Sequence, residues 1–589
     1  MASDAADHRE DPRNLKPAAE NPWYVLATIY GEQTEDLRDE ELHRRNRRIW
    51  NGWSCGHLSD DERAELARSL GLDIGEFAPW TVQERAEVER IFAAKAIVLP
   101  DPEVEIRFDC TRFGESLNLS GFLFSKPVYF NDSEFTKSVN LCARFNDAVY
   151  FQYTTFIGST TLSPDNFLGA VTFQSSNFAK HIEFDQEKFG NTVNFSSATF
   201  SEGATFYVVS FTDGVDFTSA TFKGTVVFLY VSFQGHASFS GCRLDLSASF
   251  YDCFFHESAN FTKAIFKANA SFSPSAFLGG AQFKGAKFEK DVDFSSDDDD
   301  EWSKLTGFRG SANFEDVLFD GNARFAGAKF SDDVSFRRAR FSGRAEFDAA
   351  NFGARSIFQG ASFGLFASFQ RATCNGEASF SECHFESPTS FHRTSFLTHF
   401  PDFSGATLHQ NTTFSDKDEF WPKMPGALSD AAEDSRKSLA IIRNTVGKQG
   451  LPEEEHYFFR REMAFAARIG TLPQRLPYRL FGFFSDFGHS IAKPTRWLVV
   501  LWAIGSGCYW KWWLSGLEEP ISATPAGFTA MGFSLAQLFS FLGFNRVFFD
   551  GDAQQMAWGL QAVAGFQAIA GVVLLFLLGL ALRNRFRLK

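Results

Sequence analysis

The stretch VNFSSATFSEGATFYVVSFTDGVDFTSATF (193–222) sets phenylalanine at 195, 200, 206, 211, 217 and 222, a spacing of five, six, five, six. One series recurs every eleven residues from Phe195 through Phe206, Phe217, Phe228, Phe239, Phe250, Phe261, Phe272 and Phe283 to Phe294. The second follows five behind: Phe200, Phe211, Phe222, Phe233, Leu244, Phe255, Phe266, Phe277, Phe288. Two residues before each first-series ring stands Ala or Val, as at Val193, Ala204, Val215 and Val226. A repeat this long dictates the architecture.

Eleven is also the period of a right-handed coiled coil, but that needs apolar residues three and four apart. Here they lie two, five and six apart, among Gly, Ser, Thr and Val, which suit strands and turns better than a long helix. Residues i−2 and i on one side fit the two-residue period of a short strand. Each unit therefore reads as a tiny strand plus a corner, and the chain as a β-solenoid.

The units VDFTSATF (215–222), ANFTKAIF (259–266) and AKFSDDVSF (328–336) resemble the pentapeptide-repeat family in its Phe-centred form. The resemblance implies a mainly β fold: a right-handed, four-sided parallel β-helix in which residue i stacks under i+22. Roughly 14 coils at ~4.8 Å each are expected. Stacked rings filling the bore account for the 73 phenylalanines without any cofactor site.

The 589 residues carry a net charge of −15, which weighs against a phosphate-binding protein and against nucleic acid as a partner. MASDAADHREDPR (1–13) is polar with no apolar run behind it, so no signal peptide is read. The eight cysteines show no CxxC; Cys242, Cys253, Cys374 and Cys383 fall on interior repeat positions and read as reduced core residues.

In chain order, residues 1–20 read as a disordered tail and 21–103 as a helical cap, with capping boxes at Ser59/Glu62 and Thr81/Glu84. The run His43-Arg-Arg-Asn-Arg-Arg48 is either a solvated face or a contact with anionic lipid or another part of the chain. The solenoid spans 104–416. It carries a one-residue deletion near Phe145, an insertion of roughly nine residues after Phe294, and one extra residue near Pro401. The inserted acidic run, Asp297–Glu301, reads as a solvated loop; calcium is the alternative, without EF-hand spacing. Residues 417–475 read as a linker and an amphipathic helical hairpin, about Ser429–Gly447 and Pro452–Ile469.

Residues 476–589 read as a membrane domain. Spans are expected at about 497–517 and 556–582, with a re-entrant segment at about 527–544. Lys493 and Arg496 precede the first span, and Arg583, Arg585, Arg587 and Lys589 follow the last. The connecting loop is acidic, with Glu518, Glu519, Asp550 and Asp552. This asymmetry predicts an inner (cytoplasmic) membrane protein with both termini and the solenoid in the cytoplasm. Span, half-helix, span also resembles a two-transmembrane cation-channel pore. Leu542-Gly543-Phe544-Asn545-Arg546 stands where that family's Gly-aromatic-Gly-Asp filter belongs, with Asn545 and Arg546 departing from it.

No phosphate loop, HExxH or GxSxG is present, so no catalytic, cofactor-binding or metal residue is assigned and an enzyme is not expected. The leading reading is a membrane-anchored scaffold whose partners are the lipid bilayer, further copies of itself through the membrane domain, and a cytoplasmic protein. The alternatives are an ion channel gated by the solenoid and a DNA-mimicking binder of a topoisomerase.

Overall fold

The computed structural model describes residues 14–33, 37–163, 167–296, 307–424, 431–515, 523–544, 547 and 557–586. It divides into two compact units, 1–401 with 405–422 and 402–404 with 423–589.

The first unit is a four-sided parallel β-solenoid of about 13 turns. One coil takes four two- to four-residue strands, and we name the faces from one of them. Face A holds Val193–Asn194, face B Thr199–Phe200, face C Ala204–Tyr207 and face D Ser210–Phe211. The register is 22: Val193 pairs with Val215, Thr199 with Thr221, Phe206 with Phe228 and Phe211 with Phe233. Each irregularity read from the sequence appears as a register offset. Thr155 pairs with Glu134, 21 behind, and Phe391 with Phe414, 23 ahead. Phe277 pairs with Phe308, so nine additional residues pass between adjacent rungs without disturbing the ladder.

The rings make the core. On face A, Phe195, Phe217, Phe239, Phe261 and Phe283 stack at 5.1, 5.0, 4.7 and 4.8 Å, within 13° of parallel. The face C column meets them edge-on: Phe239 touches Phe228 at 5.6 Å and 89° and Phe250 at 5.4 Å and 88°. Parallel backbones force equivalent rings over one another, and the quadrupole favours an edge at the next column. Val193, Ala204, Val215 and Val226 are buried beside them, because a larger side chain at i−2 would compete for the same bore. Cys242, Cys253, Cys374 and Cys383 are buried free thiols, as expected from their repeat positions, and burial pushes Cys374 up to about 12.

The lower end is capped. Helices α1 (Pro22–Ala27), α2 (Glu40–Ser54), α3 (Asp60–Leu70) and α4 (Val82–Ala94) form the cap, and both expected capping boxes are present. The first rung of face D, Leu123–Phe124, has no strand beneath it. There Asn51 Oδ1 accepts from Leu123 N at 2.9 Å, and Trp50 Nε1 donates to Leu123 O at 2.9 Å, satisfying backbone that would otherwise be an open edge. The disorder expected for residues 1–20 does not extend to Lys16–Pro17. This strand pairs with Thr111 and Arg112 and covers the lower edge of face B, a non-local pairing that local composition does not encode. The basic run is spent inside the cap: Arg47 pairs with Glu76 at 2.6 Å, Arg48 with Glu84 at 3.2 Å, and Arg45 lies over Tyr30. At the other end Trp421 packs on Phe396 and donates to Ser415 O at 2.8 Å.

The second unit is helical: α5 (Ala431–Lys448), α6 (Pro452–Ala466), α7 (Leu472–Ser485), α8 (Ala492–Ser515), α9 (Ala523–Leu538) and α10 (Trp558–Phe586). Helices α5 and α6 form the expected hairpin around Leu439, Ile442, Val446, Phe458 and Phe465, with Arg443 and Glu462 paired at 2.8 Å. Among the described residues one helix, α10, is long and apolar enough to cross a membrane, at a mean hydropathy of 2.4. The expected first span forms a helix, α8, but Lys511 and the tryptophans hold its hydropathy below that standard.

Candidate functional site

Two places carry unusual chemistry, one on each unit. On the solenoid it is the corner between faces C and D. Reading up the columns 22 apart, the corner pair runs Asp185-Gln186, Tyr207-Val208, Leu229-Tyr230, Tyr251-Asp252 and Ser273-Pro274. The chain must turn here through the left-handed region, with φ +54° at Val208 and +58° at Tyr230. Only Gly, Asn and Asp take that conformation comfortably; a β-branched residue costs about 1–2 kcal/mol. Yet Val208, Tyr230 and Tyr251 stand exposed to solvent, with Tyr230 at 6.2 Å from both Tyr207 and Tyr251. The same left-handed turn recurs on another corner, as at Ser197, Ser219 and Arg338, so what sets this corner apart is its exposed aromatic and β-branched surface. His181, Glu183 and Asp185 adjoin its lower edge. Glu183 and Asp185 project outward about the buried Phe184, and His181 Nε2 lies 3.0 Å from Thr205 Oγ1. Elsewhere acidic side chains are balanced between coils: Arg355 pairs with Asp333 at 2.6 Å and Arg338 with Glu315 and Asp316 at 2.7 and 2.8 Å.

On the helical unit the centre is Gln567, 2% exposed in the middle of α10. Its Oε1 accepts from Tyr509 OH at 2.8 Å; its Nε2 donates to Leu501 O at 2.9 Å and to Ser534 Oγ at 2.8 Å. Ser534 Oγ donates in turn to Trp502 O at 2.9 Å. One amide thus joins α8, α9 and α10 and leaves none of its own groups unmatched. Gly571 permits the closest approach, since a Cβ there would lie 2.2 Å from Leu538 O. Gln567 and Gly571 face this interior together with Ala564; Gly559 and Gln561 are exposed.

The pairings fix the directions. Leu498 meets Leu574 and Leu577, while Tyr509 meets Ala564, so α8 and α10 run antiparallel. Their ends carrying Lys493, Arg496, Arg583 and Arg585 are therefore at one level, tied by Asn584 Nδ2 donating to Gly488 O at 3.0 Å. Helix α9 is about 24 Å long, short of a bilayer core, and ends at Leu538 against Gly571, halfway along α10. The pore-loop-like residues follow it. Leu542 closes a 3-10 turn and is exposed, Gly543 turns at φ +77°, and Phe544 is exposed; Asn545, Arg546 and the acidic run Asp297–Glu301 lie outside the described residues.

The junction of α6, α7 and α8 holds a polar cluster. Asp486 meets Arg460 at 3.3 Å and Lys493 at 3.5 Å, and the rings of His456 and His489 lie 5.7 Å apart. Burial, and for His456 the neighbouring His489, lowers both histidine pKa values. Sequence reading missed α7. Its signal was the capping box Thr471/Gln474, masked by Pro473 and Pro477.

The four-sided stack of Phe-centred rungs places the first unit among parallel β-solenoid repeat proteins. More narrowly, the family model described as Pentapeptide repeats (9 copies) matches residues 206–253, 250–296 and 369–416. No curated protein and no solved structure matches the chain.

Proposed function

We propose that the chain is a non-enzymatic scaffold anchored in a membrane by its helical unit, with the solenoid as a cytoplasmic interaction body. The observation that carries the anchorage is the length and apolar composition of α10. If α10 crosses a bilayer, Gln567 lies within the apolar slab, and its partners on α8 and α9 lie at the same depth. That supports α8 as a second span despite its modest hydropathy, and α9 as a segment that enters and stops midway. The shared cationic end of α8 and α10 supports a cytoplasmic placement of both termini. The exposed corner at Tyr207–Tyr251 supports protein recognition, because tyrosine-rich patches dominate binding hot spots.

The test is flotation of the full chain on a density gradient after carbonate extraction, with cysteine accessibility at each end of α10. Recovery in the soluble fraction refutes the anchor. A second reading, an ion channel, is favoured by the half-length α9 ending in the Gly543 turn. Single-channel recording distinguishes the two. Conductance altered by substitution of Asn545 or Arg546, in a tetrameric protein, replaces the scaffold with the channel; a silent bilayer retains the scaffold.

A further inference from the structure

Helix α7 presents large apolar side chains to solvent along one stripe: Leu472 is 70% exposed, Leu476 55%, Leu480 46% and Phe483 56%. At about 100° per residue these four occupy an arc of about 80°, with Arg475 and Arg479 on its flank. The opposite side is engaged: Phe481 and Phe484 pack on Leu498, Leu574 and Leu577. Phe483 and Phe484 also lie 5.1 and 5.4 Å from Trp497. The apolar stripe therefore begins where α8 and α10 carry their cationic ends, at the level where a bilayer changes from headgroup to acyl chain.

We propose that α7 lies in the plane of the membrane surface, its Leu472–Phe483 stripe sunk among acyl chains and the flank that carries Arg479 at the level of the headgroups. This rests on the membrane reading of α10. The chemistry favours lipid over a protein occupant. The stripe is continuous with the apolar surface of the proposed spans, one flank of it carries Arg475 and Arg479, and the adjoining Trp497 cluster is of the kind enriched at membrane interfaces. Arg479 Nε donates to Ala467 O at 3.2 Å, which holds that guanidinium on the flank of the stripe.

The test uses the full chain in phosphatidylcholine–phosphatidylglycerol vesicles, with Cys110, Cys142 and Cys508 replaced, the three that are not buried. A fluorescent NBD label is placed by Leu480→Cys on the stripe, by Tyr478→Cys off it, and by Ile569→Cys on α10. A lipid nitroxide just below the headgroups should quench the Leu480 label at least about threefold more than the Tyr478 label. Equal, weak quenching at both, with Ile569 quenched by a mid-chain nitroxide, overturns the proposal and leaves the anchor standing. An unquenched Ile569 label overturns the membrane reading and this proposal with it. Shielding of Leu480 that tracks protein concentration instead of nitroxide depth assigns the stripe to a second copy and also overturns it.

Discussion

Replacing Phe239 by Ala tests whether the ring columns hold the solenoid together. Phe239 is buried, stacked between Phe217 at 5.0 Å and Phe261 at 4.7 Å, and edge-on to Phe228, Phe250 and Phe233. Burying a phenyl ring contributes about 1.5–3 kcal/mol. The cavity left by its removal adds a further term, because strands pinned above and below cannot close over the gap, so the total should fall at about 3–5 kcal/mol. Phe239→Leu keeps most of the volume and should cost about 1.5 kcal/mol or less. The measurement is guanidinium unfolding of the full chain in dodecylmaltoside, followed by far-UV circular dichroism, with pulse proteolysis reporting the coils around residue 239. A loss below about 1 kcal/mol for the alanine variant would show that the backbone ladder alone sustains the fold, and the argument from ring stacking would fail.

Three further outcomes are expected. Val208→Asn should raise solenoid stability by about 0.5–1 kcal/mol, since asparagine accepts the left-handed φ of +54°; unchanged or lower stability refutes the strain. Gln567→Leu should cost the helical unit about 1–2 kcal/mol by stranding Tyr509 OH and removing the amide's bonds to Leu501 O and Ser534 Oγ, measured as loss of thermal stability in detergent; a neutral effect means the amide is not the link between the three helices. Burial holds His456 and His489 neutral, so their folded pKa values lie below the usual 6.5. The unfolded chain therefore takes up protons first on acidification. Their contribution is complete above about pH 6.5 and is lost as pH falls through the folded values. Hydrogen exchange in α6 and at 485–490 should speed up from pH 7.5 to 5.5 beyond its intrinsic pH dependence, and His456→Gln should flatten that response; a flat wild type refutes it.

The interior of the solenoid was legible because each coil repeats the same constraint: a missing or extra residue moves every following Phe, so even single-residue changes near Phe145 and Pro401 could be placed. The outside was not. Outward positions obey no packing rule, so the Tyr207–Tyr251 corner emerges only when residues 22 apart are seen side by side. Lys16–Pro17 escaped because two residues carry no pattern of their own and owe their order to Thr111 and Arg112. In the helical unit, Gln567 and Gly571 were recognisable as packing residues by type, whereas the three-way bond depends on depths that spacing does not give. Pro477 disguised α7, since proline inside a helix removes a donor and commonly ends it.

The excursion between Phe277 and Phe308 has a practical corollary. A coil that accommodates nine foreign residues and closes again on its neighbour behaves like a shelf with a removable bracket. Epitopes, reporter domains with adjacent ends, or regulatory segments could be spliced at that point. The stack of rungs would be indifferent to lengthening, recharging or removing the insert there.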